Sequence, residues 1–302
     1  MQKVKIGIVG LGGIGGFCAV LLKKAGYEVF SNKNVKKKKL LLKLSSKYYG
    51  NLSASIKVDR TLNDVNIILI CSKFPYLRKN IKNIYNKKAL VVPFLNGISH
   101  FHILKKKFKK RVYFSNIAKI ISKKKSANKI LHLSKNKPEV IISCENKDKN
   151  KIKIICNILK KIDFKLKVFD SDTKVIWTKL IRLSSISAMT ALYDCNLYEI
   201  LNSKNKMKQL ESLVKEGLYL TKLLFNFKGS LNNIIKDIKK LPCNLTTSLQ
   251  RDINSNTNTK SEIDTQIGAI YKLGVKSKLQ LKTTNYIYML LKKKCKKNTD
   301  FI

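Results

Sequence analysis

The stretch Val4-Lys5-Ile6-Gly7-Ile8-Val9-Gly10-Leu11-Gly12-Gly13-Ile14-Gly15-Gly16 decides how the N-terminal half of the chain folds. Residues 4–9 form a short apolar run ending in glycine, the pattern of a strand buried on both faces. A helix is expected over about 14–24, with Gly26 closing it and Tyr27-Glu28-Val29-Phe30 starting a second strand. Gly10-x-Gly12-x-x-Gly15 therefore lies between a strand and a helix, where a dinucleotide-binding turn belongs. Gly10 permits the tight turn, Gly12 lets the backbone approach a pyrophosphate, and Gly15 lets helix and strand pack closely. The N–H groups and partial positive charge of the helix N-terminus would then meet the phosphates. The expected cofactor contacts here are Gly10, Leu11, Gly12, Gly13, Ile14 and Gly15. A basic start before an apolar run is also seen in secretory signals. Five glycines interrupt this run, however, and no small-x-small cleavage site follows it.

The end of the second strand bears on which dinucleotide is bound. An NAD-preferring site carries an acid there for the ribose 2′-hydroxyl. The chain instead reads Ser31-Asn32-Lys33-Asn34, with no carboxylate. A cation beside small polar groups suits a 2′-phosphate, so Lys33 is expected to contact the cofactor and NADP to be that cofactor.

The chain has 302 residues, 44% of them hydrophobic, enough for one large domain or two ordinary ones. Its 63 basic and 18 acidic residues give a net charge of +45. Such a charge invites a nucleic-acid partner, but recognition of that kind favours guanidinium forks and a clustered basic patch. Here the lysines are spread along the chain with abundant Asn and Ile, as AT-rich coding produces, and the lysine runs at 36–39, 105–107 and 292–294 read as solvated faces. No specific nucleic-acid partner is expected. No apolar stretch is long enough to span a bilayer. The seven cysteines are scattered without a C-x-x-C pair and there are three histidines, which argues against a disulfide framework, a structural zinc site or a His-based triad. The chain is expected to be soluble, reduced and cytoplasmic.

Further buried strands are expected at 66–71 and 89–94, each followed by a break and a helical pattern, the rhythm of a doubly wound parallel sheet. Shorter strand-like runs follow at 112–117, 129–133 and 140–143, then a helix over 149–162 and a strand near 166–169. From residue 172 helical periodicity dominates, over 172–192, 206–225, 231–238 and 262–271. The expected architecture is an α/β, Rossmann-type doubly wound domain over 1–170 followed by an all-helical domain over 171–302. Ligands in such sheets bind beyond the carboxyl ends of the strands, so the active site is expected where the two domains meet. Lys73 and Asn96, each just after a strand, are placed at that edge. Lys179 opens a long, largely apolar helix between Trp177 and Leu180.

Together these features resemble the ketopantoate reductases: the glycine turn near the start, Lys73, Leu95-Asn96-Gly97, and Trp177-x-Lys179-Leu180 opening the helical domain. Asn244-Leu245-Thr246-Thr247-Ser248-Leu249-Gln250-Arg251-Asp252, with Glu262-Ile263-Asp264 soon after, is similar to that family's C-terminal signature. The resemblance covers nearly the whole chain. It implies NADPH-dependent reduction of 2-dehydropantoate (ketopantoate) to pantoate, a step of pantothenate and coenzyme A synthesis; apart from the resemblance, a monomer or homodimer is expected and no residue pattern calls for a metal. It implies Lys179 as the proton donor to the carbonyl oxygen, a role that suits an ammonium aimed at a developing alkoxide. Lys73, Asn96 and Glu262 are implied to contact the cofactor, and Lys179, Ser187, Asn244 and Thr247 the substrate.

The chain also departs from the family pattern. Family members carry asparagines four and eight residues after the lysine, where this chain has Leu183 and Ser187. A further asparagine aligns with Leu197, and Asn196 stands next to it. These changes leave open another 2-keto acid, or a non-catalytic dinucleotide-binding protein that keeps the fold. A β-hydroxyacid or imine reductase would need a lysine–asparagine pair that Leu183 breaks.

Overall fold

The computed structural model describes residues 4–145, 148–254 and 262–297. They fall into two compact units: the chain up to Leu95 together with His100–Val175, and Asn96–Ser99 together with the chain from Ile176 onward.

The first unit runs β1 (Lys5–Val9), α1 (Gly13–Lys24), β2 (Glu28–Ser31), β3 (Lys39–Ser46), β4 (Gly50–Val58), β5 (Ile67–Ile70), α2 (Leu77–Ile81), β6 (Leu90–Pro93) and α3 (Ser99–Phe108). It continues with β7 (Ser115–Ala118), β8 (Ser122–Lys124), β9 (Lys129–His132), β10 (Glu139–Ser143), α4 (Lys149–Lys161) and β11 (Lys165–Phe169). Eight strands form one sheet in the order β6-β5-β1-β2-β4-β3-β9-β8, and β11-β10-β7 form a second. Neighbours from β6 to β4 are parallel, with Ile8 opposite both Ser31 and Leu69. This is the expected α/β architecture.

The sheet is not purely parallel, because β3 and β4 form an antiparallel hairpin in register from Lys39↔Lys57 to Ser46↔Gly50. The strand-helix rhythm expected before residue 110 is broken here. The physical reason is a period of two: Leu42, Leu44, Ala54 and Ile56 are buried while Leu41 and Lys43 are exposed. Beyond the hairpin, β9 pairs parallel with β3, and β8 pairs antiparallel with β9. The sheet wraps α1, which touches β1, β2, β4, β3, β9 and β8 in turn. Phe17, fully buried on α1, stacks on His132 at 4.5 Å between ring centroids and meets Tyr49 edge-on at 5.5 Å.

The glycine turn is set by close approach. Gly10 has φ +91°, and a β-carbon there would lie 2.7 Å from the Ser72 backbone. A β-carbon at Gly15 would lie 2.0 Å from the Gly10 carbonyl oxygen. At Gly12, the N-cap of α1, no described atom lies within 4 Å of the corresponding position.

The second unit is helical: α5 (Asp172–Tyr193), whose first turn belongs to the first unit, then α6 (Leu197–Leu201), α7 (Lys204–Phe225), α8 (Leu231–Lys239), α9 (Ser248–Asn254), α10 (Ile267–Lys276) and α11 (Lys282–Lys297). Trp177, Leu180, Ile181 and Met189 of α5 pack with Leu210, Leu213 and Val214 of α7, and Trp177 stacks on Phe225 at 4.9 Å. The Glu216 carboxylate accepts from the Thr283 and Thr284 N–H groups at 2.8 and 2.7 Å, capping α11. The helix expected over 262–271 starts later: a tight turn, Ile263–Thr265, precedes α10, because Gln266 leaves helical geometry at φ −106°, ψ −101°.

Gly15→Ala is expected to lower the unfolding free energy by about 1–3 kcal/mol, the cost of forcing atoms into a packed site. Gly12→Ala should cost under about 1 kcal/mol, the preference of an N-cap for glycine over alanine. Urea unfolding followed by circular dichroism measures both, and equal losses would contradict the steric account.

Candidate functional site

The glycine turn follows from the fold of the first unit. Leu11 is buried, and Gly12, Gly13 and Ile14 are half-buried at the start of α1. The Gly16 N–H donates to the Gly12 carbonyl at 2.9 Å, and α1 begins with no side-chain cap. Its first N–H groups thus lack intrahelical acceptors. Gly12 faces open space beside helix N–H donors, and this leaves room for a pyrophosphate. Packing explains glycine at 10 and 15; at 12 glycine suits the N-cap of α1 and leaves room for another group to approach.

At the end of β2, Ser31 is buried and its hydroxyl accepts from the Lys33 N–H at 3.2 Å. The Asn32 amide donates to the Asn80 carbonyl at 2.5 Å, and the Asn80 amide donates to the Ser72 hydroxyl at 2.6 Å. This chain of bonds ties the loop holding Lys33 to the loop after β5, which holds Lys73. Lys33 is half-buried, and Lys73 is exposed at the start of a tight turn, Phe74–Tyr76.

In the second unit, Lys179 is half-buried on α5. Burial lowers its pKa to about 7, the Arg182 guanidinium one turn on pushes in the same direction, and the Glu262 carboxylate opposes both. Glu262 is buried and accepts from the Gln266 side-chain amide at 3.1 Å. Gly97, with φ +81°, packs so tightly on Thr265 that a β-carbon would lie 2.3 Å from its carbonyl oxygen. That contact brings Asn96 to the turn that starts at Glu262. Lys179, Glu262 and Asn96 therefore share one neighbourhood.

Helical spacing puts Leu183 and Ser187 on the same face of α5 as Lys179. Leu183 is half-buried, and Ser187 is fully buried with a hydroxyl that has no hydrogen-bond partner among the described residues. One turn further, the hydroxyls of Thr190 and Thr247 are 2.8 Å apart, and Thr247 also accepts from the Gln250 N–H at 3.3 Å. The Gln250 amide donates to Asp194 at 3.0 Å, and its own oxygen is buried with no partner among the described residues. Asn244 is exposed, in a turn closed by the Leu245 N–H on Pro242. Asn196 is committed to a capping box with Glu199 at the start of α6, and Leu197 is buried.

Thr190 and Gln250 were not singled out from the sequence. The signal available was a run of small hydroxyls, Ser184, Ser185, Ser187 and Thr190, inside an otherwise apolar helix; all four are buried. A hollow of ≈ 450 Å³ between α7 and α8, lined by Leu231, Ile235 and Lys236 among others, contains none of the candidate residues.

A mostly parallel sheet with a glycine turn between β1 and α1, followed by a helical unit, is a Rossmann-type two-unit architecture. Residues 6–144 match the family model described as ketopantoate reductase PanE/ApbA, and residues 173–295 match its C-terminal counterpart. The chain belongs to the ketopantoate reductase PanE/ApbA family, and so to the oxidoreductases that use a pyridine nucleotide. Its fold is similar to that of D-mandelate dehydrogenase, solved with NADH and anilino(oxo)acetate: TM-score 0.85, 18% identity, 98% of this chain and 99% of that one covered. It is also similar to a PanE/ApbA family ketopantoate reductase from Ralstonia eutropha JMP134, with TM-score 0.83, 16% identity and coverage of 98% and 99%. A dimeric ketopantoate reductase from Staphylococcus aureus matches at TM-score 0.78 and 17% identity, with coverage of 98% and 100%. No curated protein matches the chain. Among the described residues no helix is long and apolar enough to cross a membrane, and no three His, Cys, Asp or Glu residues are grouped to hold a metal.

Lys179 should titrate at about 7, which ¹³C NMR of the reductively methylated protein can follow. Arg182→Ala is expected to raise that value by removing a like charge, and Glu262→Gln to lower it by removing the opposing one. Shifts of the opposite signs would contradict the assigned neighbours.

Proposed function

We propose that the protein reduces a 2-keto acid with NADPH, ketopantoate to pantoate being the foremost candidate, and that Lys179 delivers the proton. The observation that carries this reading is the desolvated lysine at pKa about 7 beside Glu262 on the long helix of the second unit. At neutral pH such a group is part protonated, so it can polarise the carbonyl oxygen and then release its proton to the alkoxide. The bound nucleotide supplies hydride to the carbonyl carbon. Gly10, Leu11, Gly12, Gly13, Ile14 and Gly15 would hold its pyrophosphate, and Lys33 its 2′-phosphate. Lys73, Asn96 and Glu262 would make its remaining contacts. Thr247, through its pair with Thr190, and the unpartnered hydroxyl of Ser187 would offer hydrogen bonds to the substrate, with Asn244 at the rim. Seven cysteines outside any disulfide fit a reducing cytoplasm. A monomer or a homodimer is compatible with this reading.

A specific observation favours a second substrate. Leu183, one turn from Lys179 on the same face, cannot hydrogen-bond a substrate hydroxyl and instead offers apolar contact. That fits a 2-keto acid whose substituent is aliphatic or aromatic, in line with the likeness to a D-mandelate dehydrogenase.

NADPH oxidation measured against ketopantoate, 3-methyl-2-oxobutanoate and phenylglyoxylate decides between these substrates, and no turnover with any of them would sink the proposal. Lys179→Ala should lower kcat by about 10²–10⁴, the usual worth of a general acid, while NADPH still binds within about twofold of the parent. Because the acid must be protonated, reduction should slow as pH rises through about 7. A flat profile from pH 6 to 9 would assign the proton to another group.

A further inference from the structure

The far edge of the eight-stranded sheet returns to the glycine turn. Three strands, β4, β3 and β9, separate β2 from β8 in the sheet order, yet β8 packs directly on the first turn of α1. The Ser122 hydroxyl donates to the Gly13 carbonyl at 2.9 Å, and a β-carbon at Gly13 would lie 2.2 Å from the Ser122 carbonyl oxygen. Residues two apart on a strand share a face. Ser122 faces α1, so Lys124 lies on that same side and Lys123 on the other. The antiparallel pairing of Lys124 with Ile130 fixes this register. Ile130 is itself pinned, since the absent β-carbon of Gly16 would lie 2.5 Å from its terminal methyl carbon.

Lys33 lies two residues beyond Ser31, which stands opposite Ile8 just before the glycine turn, so the end of β2 brings it beside the same turn. Partial burial lowers the pKa of Lys124, and the Lys33 ammonium nearby lowers it further. Neither lysine is paired with a carboxylate among the described residues, although Lys57, Lys119, Lys137 and Lys167 of the same unit all are. Two ammonium groups beside the same turn repel, and a dianion between them turns that cost into attraction. A phosphate monoester carries that charge, and its three oxygens can accept from both lysines.

We infer that Lys124, delivered by β8, joins Lys33 to clamp the 2′-phosphate of the dinucleotide, making β8 a determinant of NADP over NAD. The inference rests on the dinucleotide reading of the glycine turn and adds a residue from a strand far away in the sheet order. It also gives the Ser122–Gly13 contact a purpose, since that bond fixes the strand against the turn that would hold the pyrophosphate.

The test compares NADPH and NADH binding, by quenching of intrinsic fluorescence at constant ionic strength, for the full chain and for Lys124→Ala, Lys33→Ala and Lys123→Ala. Lys123→Ala removes the same charge from the opposite side of β8 and serves as the control for general electrostatics. Lys124→Ala is expected to weaken NADPH binding about tenfold or more, the worth of one charge-assisted contact, and to leave NADH within about twofold. Lys33→Ala should do the same, and Lys123→Ala should change neither. Equal weakening of NADPH and NADH by Lys124→Ala, or equal effects of Lys123→Ala and Lys124→Ala on NADPH, would overturn the clamp while leaving dinucleotide binding intact. Failure of the parent chain to bind either nucleotide would instead overturn the dinucleotide reading, and the clamp with it.

Discussion

Helix α1 can lie against β1 only because position 15 has no side chain, since a β-carbon there would sit 2.0 Å from the Gly10 carbonyl oxygen. Much of the first unit depends on that approach. With α1 held down, Phe17, Cys18, Ala19, Val20 and Leu22 are fully buried and become the rod around which the sheet wraps. Gly16 and Gly13 extend the same principle along the helix, admitting Ile130 of β9 and the backbone of β8 where any side chain would collide. The consecutive glycines thus serve two purposes. Those at 10, 13, 15 and 16 are required by packing, and the one at 12 is left facing open space, where the proposed pyrophosphate would approach.

The parts of the fold that could be read in the sequence are those where one physical rule acts alone. β1, α1 and β2 follow from an apolar run, a glycine turn and a helical period, and all three lie within a residue or so of expectation. The long helix carrying Lys179 follows from its uninterrupted apolar periodicity, and so does α7. The β3–β4 hairpin was hidden because its exposed positions carry lysine, serine and even leucine, which blur the alternation that its buried positions keep. β8 carries no pattern of its own. Ser122-Lys123-Lys124 is as polar as any loop, and it is a strand because β9 and α1 are there to receive it.

The site was legible to the same degree. Glycine spacing marks the turn between β1 and α1, and Lys179, Asn96 and Glu262 stand far apart in the sequence; their convergence is a product of the turn after Glu262 and the tight seat of Gly97 on Thr265. Asn196, one residue from an aligned position, is occupied in capping α6, a role fixed by Glu199 three residues on. Thr190 escaped notice because a threonine inside a helix usually bonds back to its own turn. Here it does so to Ser187, and it also reaches Thr247 on the segment leading into α9.

The surplus of lysine changes how carboxylates should be weighed. With only 18 acids in 302 residues, many of the described ones hold built positions. Glu139 is buried between Lys119 and Lys167 at 2.9 and 3.0 Å, Glu216 caps α11, Asp148 caps α4, and Asp264 gathers Tyr288, Lys272 and Lys292. Glu262 beside Lys179 belongs with these: a buried carboxylate in an acid-poor chain, placed where it steadies a desolvated cation. The reverse inference is weaker. The absence of an acid from Ser31-Asn32-Lys33-Asn34 says little by itself, because acids are scarce throughout. What would give that absence meaning is the proposed clamp, in which β8 brings a second lysine beside the same turn. Compositional drift can add lysines anywhere on a surface, but it does not choose which two of them the fold sets against each other.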